Sequence, residues 1–337
     1  MQKNTKQTVV IADYDYGNVN IEREIIEQAG LTLVAAQCKN EDDVIDVAHD
    51  AHAIITQYAR VGPKAIQACT QCRVIARYGT GVDIVDVDAA TQHNIQVTNV
   101  PNDWCANEVA DHALTLLLTI ARKIRAYDHA TRTGIWRWQS GEPIYRFRGR
   151  TLGLLSFGAI SQAIATRASG FGMQIITNDP YKAPEEITKL GATPVSFDAL
   201  IAQSDYLVIQ APLTPETRNL FDEAQLRRMK PGAFLINTAR GPIVNDHALY
   251  KALKEGWIAG AALDDIEEEP SKQRDWKPTN PLFTLDNVII TPHAAYYSEE
   301  AMHTVRAFPA QEVVRVLTGK PPLSPVNTIS LSNAHPI

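Results

Sequence analysis

A chain of 337 residues, 45% hydrophobic and 21% charged, is too long for one ordinary core and too apolar to be disordered; about two globular domains are expected. Its 32 basic and 38 acidic side chains give a net charge of −6 without a basic tract, which speaks against nucleic acid and anionic membrane surfaces as partners. The longest apolar run, 113–121, falls far short of the ~20 residues of a membrane helix, and the polar start leads straight into Val9-Val10-Ile11 without the apolar core of a signal peptide, so a cytoplasmic protein is expected.

Short β-rich runs alternate with helical stretches along the chain, the mark of an α/β fold with parallel sheets. A strand over 8–12, a helix over 21–29 and a strand over 31–35 come first, with Gly30 as a helix C-cap signal. Strands over 53–56, 73–77 and 94–100 follow, and Pro101 ends the last. Cys69 and Cys72 form a CxxC, but no second cysteine or histidine pair stands at zinc-ligand spacing. A surface turn between Ala65 and Val74 is expected there, and no metal site. Four cysteines are too few for a disulfide framework in a chain of this length.

A helix over 108–124 is apolar on most faces, which predicts burial between two bodies. Residues 132–149, rich in Trp, Arg, Gly and Pro without periodicity, are expected to cross irregularly, and Trp104, Trp136 and Trp138 either to shape a pocket or, the favoured reading, to pack at a domain or subunit boundary. A second α/β series then runs through strands over 151–155, 174–178, 206–210, 233–237, 261–264 and 288–291. Helices are expected over 160–171 and 247–255, and the polar tail 327–337 should be loose.

The string Thr151-Leu152-Gly153-Leu154-Leu155-Ser156-Phe157-Gly158-Ala159-Ile160-Ser161 runs from a strand through a tight turn into a helix. A dinucleotide fold places G-x-G-x-x-G there, so that the pyrophosphate meets backbone N–H groups at a helix N-terminus. Here the pattern is Ser156-x-Gly158-x-x-Ser161; the glycine whose missing side chain lets the pyrophosphate approach is kept, and the serine hydroxyls are candidate phosphate donors. Asp179, 21 residues past Gly158 at the end of the next strand, is placed to accept from the ribose hydroxyls of NAD and to repel a 2′-phosphate. Lys182 softens that preference.

Arg240, Glu269 and His293 each fall at a strand end of the second series, where an open parallel sheet faces its ligand. A guanidinium clamps a carboxylate and polarises a carbonyl beside it. An imidazole passes a proton near neutral pH, and a neighbouring carboxylate stabilises its charged form. Together they describe hydride transfer at a 2-keto acid. Singly, each reads equally well as a structural ion pair, a solvated glutamate or a loop histidine. The loop Arg77-Tyr78-Gly79-Thr80-Gly81-Val82-Asp83 carries glycines that permit positive φ and bare N–H groups, either a nest for a carboxylate or an ordinary turn.

These strings resemble the D-2-hydroxyacid dehydrogenase family, as do Asn99-Val100-Pro101, Glu108-Val109-Ala110-Asp111-His112, Asp179-Pro180-Tyr181, Ala211-Pro212-Leu213-Thr214, Asn237-Thr238-Ala239-Arg240-Gly241, Gly260-Ala261-Ala262-Leu263-Asp264 and Thr291-Pro292-His293-Ala294-Ala295. The continuation Tyr296-Tyr297-Ser298-Glu299 is similar to the C-terminal-binding-protein-like branch, though Tyr296 stands where the eukaryotic corepressors carry Trp. The resemblance implies two Rossmann-like or flavodoxin-like domains with parallel sheets. A discontinuous substrate-binding domain would comprise 1–103 and 294–337, and an NAD-binding domain 104–293. It implies Arg240, Glu269 and His293 as catalytic residues. It also implies Gly158, Ala159, Ile160, Asp179, Ala211, Pro212, Thr238, Ala239, Arg240 and Asp264 around NAD, and Tyr78, Thr80, Gly81, Arg240 and Tyr296 around the substrate. A homodimer is implied as well. The expected activity is NAD-dependent interconversion of a small 2-keto acid and its D-2-hydroxy acid. The alternatives are an NAD(H)-responsive scaffold with little turnover, or a Rossmann protein for another ligand such as S-adenosylmethionine.

Overall fold

The computed structural model describes residues 6–101, 103–268 and 276–329. Two compact units emerge, Met1–Trp104 with Ser298–Ile337, and Cys105–Tyr297. The crossings fall one and four residues later than expected. Residues 294 and 295 stay with the second unit because their N–H groups donate to Asp264 Oδ1 and Oδ2, at 3.0 and 2.8 Å.

The first unit alternates β1 (Thr8–Ile11), α1 (Asn20–Gln28), β2 (Thr32–Ala35), α2 (Glu41–Ala48), β3 (Ala53–Thr56), α3 (Pro63–Ala68), β4 (Val74–Arg77), α4 (Val87–Gln92) and β5 (Gln96–Thr98). All pairings are parallel, in the order β2-β1-β3-β4-β5, a flavodoxin-like winding that reverses between β1 and β3. Apolar residues fill both faces, as continuous buried runs such as Ala53–Thr56 require. Cys69 and Cys72 lie within one of these cores, not on a surface turn, and burial pushes their thiols up to about 11 and about 12. The tail is anchored as far as Asn327, whose Oδ1 accepts the Val97 N–H at 2.7 Å.

In the second unit come α5 (Ala106–Ala121), α6 (Ile124–Arg132), β6 (Thr151–Leu155), α7 (Ala159–Ser169), β7 (Gln174–Asn178), α8 (Pro184–Lys189), β8 (Thr193–Pro194), α9 (Phe197–Gln203), β9 (Tyr206–Ile209), α10 (Glu223–Arg228), β10 (Phe234–Asn237), α11 (Asp246–Lys254), β11 (Gly260–Leu263) and β12 (Val288–Ile290). The strand order is β12-β11-β10-β9-β6-β7-β8, again all parallel. That is the doubly wound Rossmann arrangement, with its switch point between β6 and β9. The expected helix over 108–124 stops at Ala121; Lys123 turns left-handed at φ +55° and starts α6. Within this unit α5 packs on α7 and over β10 to β12. The final helix, α12 (Glu299–Leu317), returns to the first unit. There Arg306 meets buried Glu22 of α1 through Nε and Nη2, each at 2.9 Å. Among the described residues no helix is long and apolar enough to cross a membrane.

Candidate active site

Parallel strands deliver their carboxyl ends to one edge of a sheet, and in the second unit that edge collects the chemistry. At the end of β6, Ser156 adopts φ +75°, the left-handed conformation that a glycine takes at no cost. The turn survives the substitution because Asp179, at the end of β7, holds it. Its Oδ2 accepts the Phe157 N–H at 2.8 Å and lies 3.4 Å from Ser156 Oγ, while Oδ1 accepts the Tyr181 N–H at 2.9 Å.

Gly158 is the N-cap of α7 and brings no side chain to cap it. A Cβ built there meets nothing within 4 Å. The N–H groups of Ala159 and Ile160 reach no acceptor among the described residues, so the helix end is left open to an anion with its dipole aimed outward. Open space at Gly158 and a fixed carboxylate at Asp179 fit the pyrophosphate and ribose of a dinucleotide. Ser161 does not take part: it is 0% exposed and its Oγ is buried without a partner among the described residues, so it fills the helix–strand contact that the motif's third glycine usually makes, not a phosphate site.

Further along the edge, the Gln210 amide donates to Thr238 Oγ1. Ala211 is buried and Pro212 is exposed, its carbonyl accepting from Thr217 Oγ1 at 2.7 Å. Buried Asn237 clamps the next loop from both sides: its Oδ1 accepts the Ala239 N–H at 3.0 Å, and its Nδ2 donates to the Arg240 carbonyl at 2.8 Å. Arg240 is half-buried and its Nη1 donates to the Ala239 carbonyl at 2.7 Å.

His293 follows β12 in a left-handed turn at φ +51°. Such backbone is costly for a bulky side chain and persists where the surroundings over-determine it. Here the His293 N–H donates to the Asp264 carbonyl at 2.6 Å, and the next two N–H groups donate to the Asp264 carboxylate. Asp264 was expected against the cofactor. Instead it is 2% exposed and spends its oxygens on this turn and on the Thr291 hydroxyl. The Tyr296 ring stands edge-on to His293, centroids 6.2 Å apart. Glu269, the expected acidic neighbour, lies outside the described residues.

In the first unit, the loop after β4 is drawn taut by its neighbours. Asn99 Nδ2 donates to the Thr80 carbonyl at 2.7 Å and Trp104 Nε1 to Thr80 Oγ1 at 3.1 Å. Of its two glycines only Gly79 has positive φ, at +110°. The N–H groups of Thr80 and Gly81 find no acceptor among the described residues. Tyr78 is corrected as a ligand-facing side chain: it is 1% exposed, and its hydroxyl donates to Glu22 Oε1 at 3.1 Å inside the unit. Asn237 and His112 are not among the expected site residues; a polar residue closing an apolar strand is the available signal for Asn237.

Fold and edge together define a dinucleotide-binding protein with an arginine and a histidine at the ends of β10 and β12. Residues 114–295 match the family model described as D-isomer specific 2-hydroxyacid dehydrogenase, NAD binding domain. The chain is 40% identical over 288 residues to a glyoxylate reductase of Thermococcus kodakarensis, covering 82% of this chain and 84% of that protein. It is 37% identical over 278 residues to a D-3-phosphoglycerate dehydrogenase of Archaeoglobus fulgidus, covering 82% of this chain and 51% of that protein. A solved D-lactate dehydrogenase from Aquifex aeolicus, complexed with NAD and lactic acid, superposes with a TM-score of 0.84 at 26% identity, covering 92% of this chain and 96% of that one. The chain belongs to the D-isomer-specific 2-hydroxyacid dehydrogenase family. It is an NAD-dependent oxidoreductase that interconverts a 2-keto acid and its 2-hydroxy acid.

Proposed function

We propose that the protein reduces a small 2-keto acid of the glyoxylate type, with Arg240, Glu269 and His293 as the catalytic set. The observation that carries this reading is the strained His293 turn, held by Asp264 on the same sheet edge that presents Arg240 and the open end of α7. Gly158, Ala159, Ile160 and Asp179, with Thr238 and Ala239, would hold NAD, which would supply or take up the hydride. Arg240 holds the substrate carboxylate in its fork and draws electron density from the neighbouring carbonyl. An imidazole N–H of His293 gives its proton to the carbonyl oxygen as the carbonyl carbon is reduced, and the reverse reaction returns the proton to the ring. Glu269 stabilises the imidazolium. In the first unit, the N–H groups of Thr80 and Gly81, without an acceptor among the described residues, suit a carboxylate as well.

Relatives named for glyoxylate and for 3-phosphoglycerate support a small acid. The string 291–299 also resembles the C-terminal-binding-protein-like branch, and that branch would bring a scaffold that binds NADH tightly with negligible turnover. A strained histidine on the sheet edge that also carries Arg240 favours the enzyme, since binding alone needs no acid. Assay of NADH and NADPH oxidation with glyoxylate, hydroxypyruvate and pyruvate tests this reading. Turnover of at least one acid is expected, with NADH preferred and His293→Ala lowered about 10²–10⁴-fold. Tight NADH binding with no turnover of any 2-keto acid points to the scaffold.

The exposed apolar side chains of Ile124, Ile135, Trp136, Trp138 and Tyr145 support a homodimer covering this stretch; sedimentation of the wild type against Trp136→Ser/Trp138→Ser checks it. Four free, buried cysteines suit a reducing cytoplasm.

A further inference from the structure

We propose that His112 is a positioning residue for proton transfer, fixing the Thr291 hydroxyl and, through it, the Asp264 carboxylate that holds the His293 turn. The inference deepens the dehydrogenase reading and rests on His293 as the acid. His112 is carried by α5, far in sequence from the turn. Its Nε2 lies 3.0 Å from Thr291 Oγ1 and 3.5 Å from Asp264 Oδ1. A hydroxyl has one hydrogen, and Thr291 spends it on Asp264 Oδ1. The His112 nitrogen is therefore the donor to Thr291, which assigns the proton to Nε2.

The chain of donors runs from His112 to Thr291 to Asp264. On its far side the same carboxylate takes the N–H groups of Ala294 and Ala295, at 3.0 and 2.8 Å. The Asp264 backbone is tied in as well, because its carbonyl accepts the His293 N–H at 2.6 Å and its own N–H donates to the Asn237 carbonyl at 2.8 Å. One residue thus links α5, β10, β11 and the turn after β12. His112 donates to the same Thr291 oxygen whose hydrogen goes to Asp264, so the hydroxyl is held from both partners. Loss of the His112 ring leaves the carboxylate its two amide donors and its bond from Thr291, but removes the donor that fixes that hydroxyl. The turn then loosens without collapsing, and the imidazole it carries samples positions off the productive one. A displacement near 1 Å at a reacting group costs on the order of 100-fold. A partial loosening costs less, and it falls on the chemical step, since the partners of His112 are Thr291 and Asp264 and not the Arg240 side chain or the α7 end.

The test compares His112→Ala, His112→Gln, Thr291→Val and the double variant His112→Ala/Thr291→Val. For His112→Ala, kcat should fall about tenfold, with KM for the keto acid and the NADH dissociation constant from fluorescence within about twofold of wild type. His112→Gln, whose amide N–H reaches a similar distance, should recover most of kcat. The double variant should be no worse than the poorer single one, because both changes cut one chain. In the protein without cofactor, amide hydrogen exchange at Ala294 and Ala295 should quicken about tenfold in His112→Ala and return towards wild type in His112→Gln. The proposal is overturned by unchanged exchange at those two amides, by a glutamine variant no better than alanine, or by losses that multiply in the double variant. If the wild type reduces no keto acid, the dehydrogenase reading fails while the exchange measurement still decides the role of His112.

Discussion

Gly241 follows Arg240 directly and is buried, with its N–H on Asp265 Oδ2 at 3.2 Å. A Cβ built on it lies 1.9 Å from the Ile266 carbonyl oxygen, 2.1 Å from the Ile266 carbonyl carbon and 2.8 Å from the Glu267 nitrogen. Ordinary contact begins at 3.4 Å, so Gly241→Ala needs about 3.4 − 1.9 = 1.5 Å of separation. No side chain can swing aside to give it, since the obstruction is main chain. The loop bearing Arg240 or the segment bearing residues 266–268 must move as a body. Misplacement by 1 Å near the chemistry costs roughly 100-fold, so a fall in kcat of about 10²–10³ is expected, or about 3–4 kcal/mol of transition-state stabilisation. Overpacking costs about 1–3 kcal/mol of stability besides. The assay is NADH-dependent reduction of the best keto acid at saturation, with far-UV circular dichroism to show that the sheets persist. A folded Gly241→Ala protein with kcat within threefold of wild type would refute the argument that this close approach of two backbones holds Arg240 in place.

Three other outcomes follow from the packing. Ser161→Ala removes a buried hydroxyl that has no partner among the described residues, so it should raise stability by about 1 kcal/mol in urea unfolding; destabilisation would mean that the hydroxyl has a role. Arg306→Ala leaves the Glu22 carboxylate buried without its bidentate cation, and should cost about 3–5 kcal/mol; a loss under 1 kcal/mol in thermal or urea melts counts against that pairing. Burial, aided by the charges of Glu267 and Glu268, pushes the Asp246 carboxyl up to about 6 from an ordinary 3.8, against the opposing bond from Asn280. Between those two values the folded state binds the extra proton, so this group lowers stability as pH rises through that window and stays unfavourable above it. Asp246→Asn should therefore melt higher than wild type at pH 7 and converge with it near pH 4; a gap that widens on acidification contradicts the assigned sign.

Strands β3, β6 and β7 lie where their β-branched or apolar runs predicted them, and most other elements shifted by a residue or two at their ends. Periodicity is a local property, and a strand buried on both faces writes itself as a continuous apolar run. The positions of Asp179, Arg240 and His293 were legible for a related reason: a polar residue just after a predicted parallel strand has only the carboxyl edge to occupy. Side-chain direction was not. Ser161 and Tyr78 stand within strings that read as ligand-binding, yet both face inward, because α7 presses on its sheet and α1 with α12 closes over the hydroxyl of Tyr78.

By itself, then, the order of residues determined two wound parallel sheets, a dinucleotide turn built on serine, and the identities of an arginine and a histidine at strand ends. Only the tertiary structure decided that Asp264 braces a left-handed histidine, that His112 reaches Thr291 from a helix 179 residues away in the chain, and that Gly241 must lack a side chain. Each of those is a hydrogen bond or a contact between elements distant in sequence. Their distances are set by how the layers pack, and no local pattern of residues carries that information.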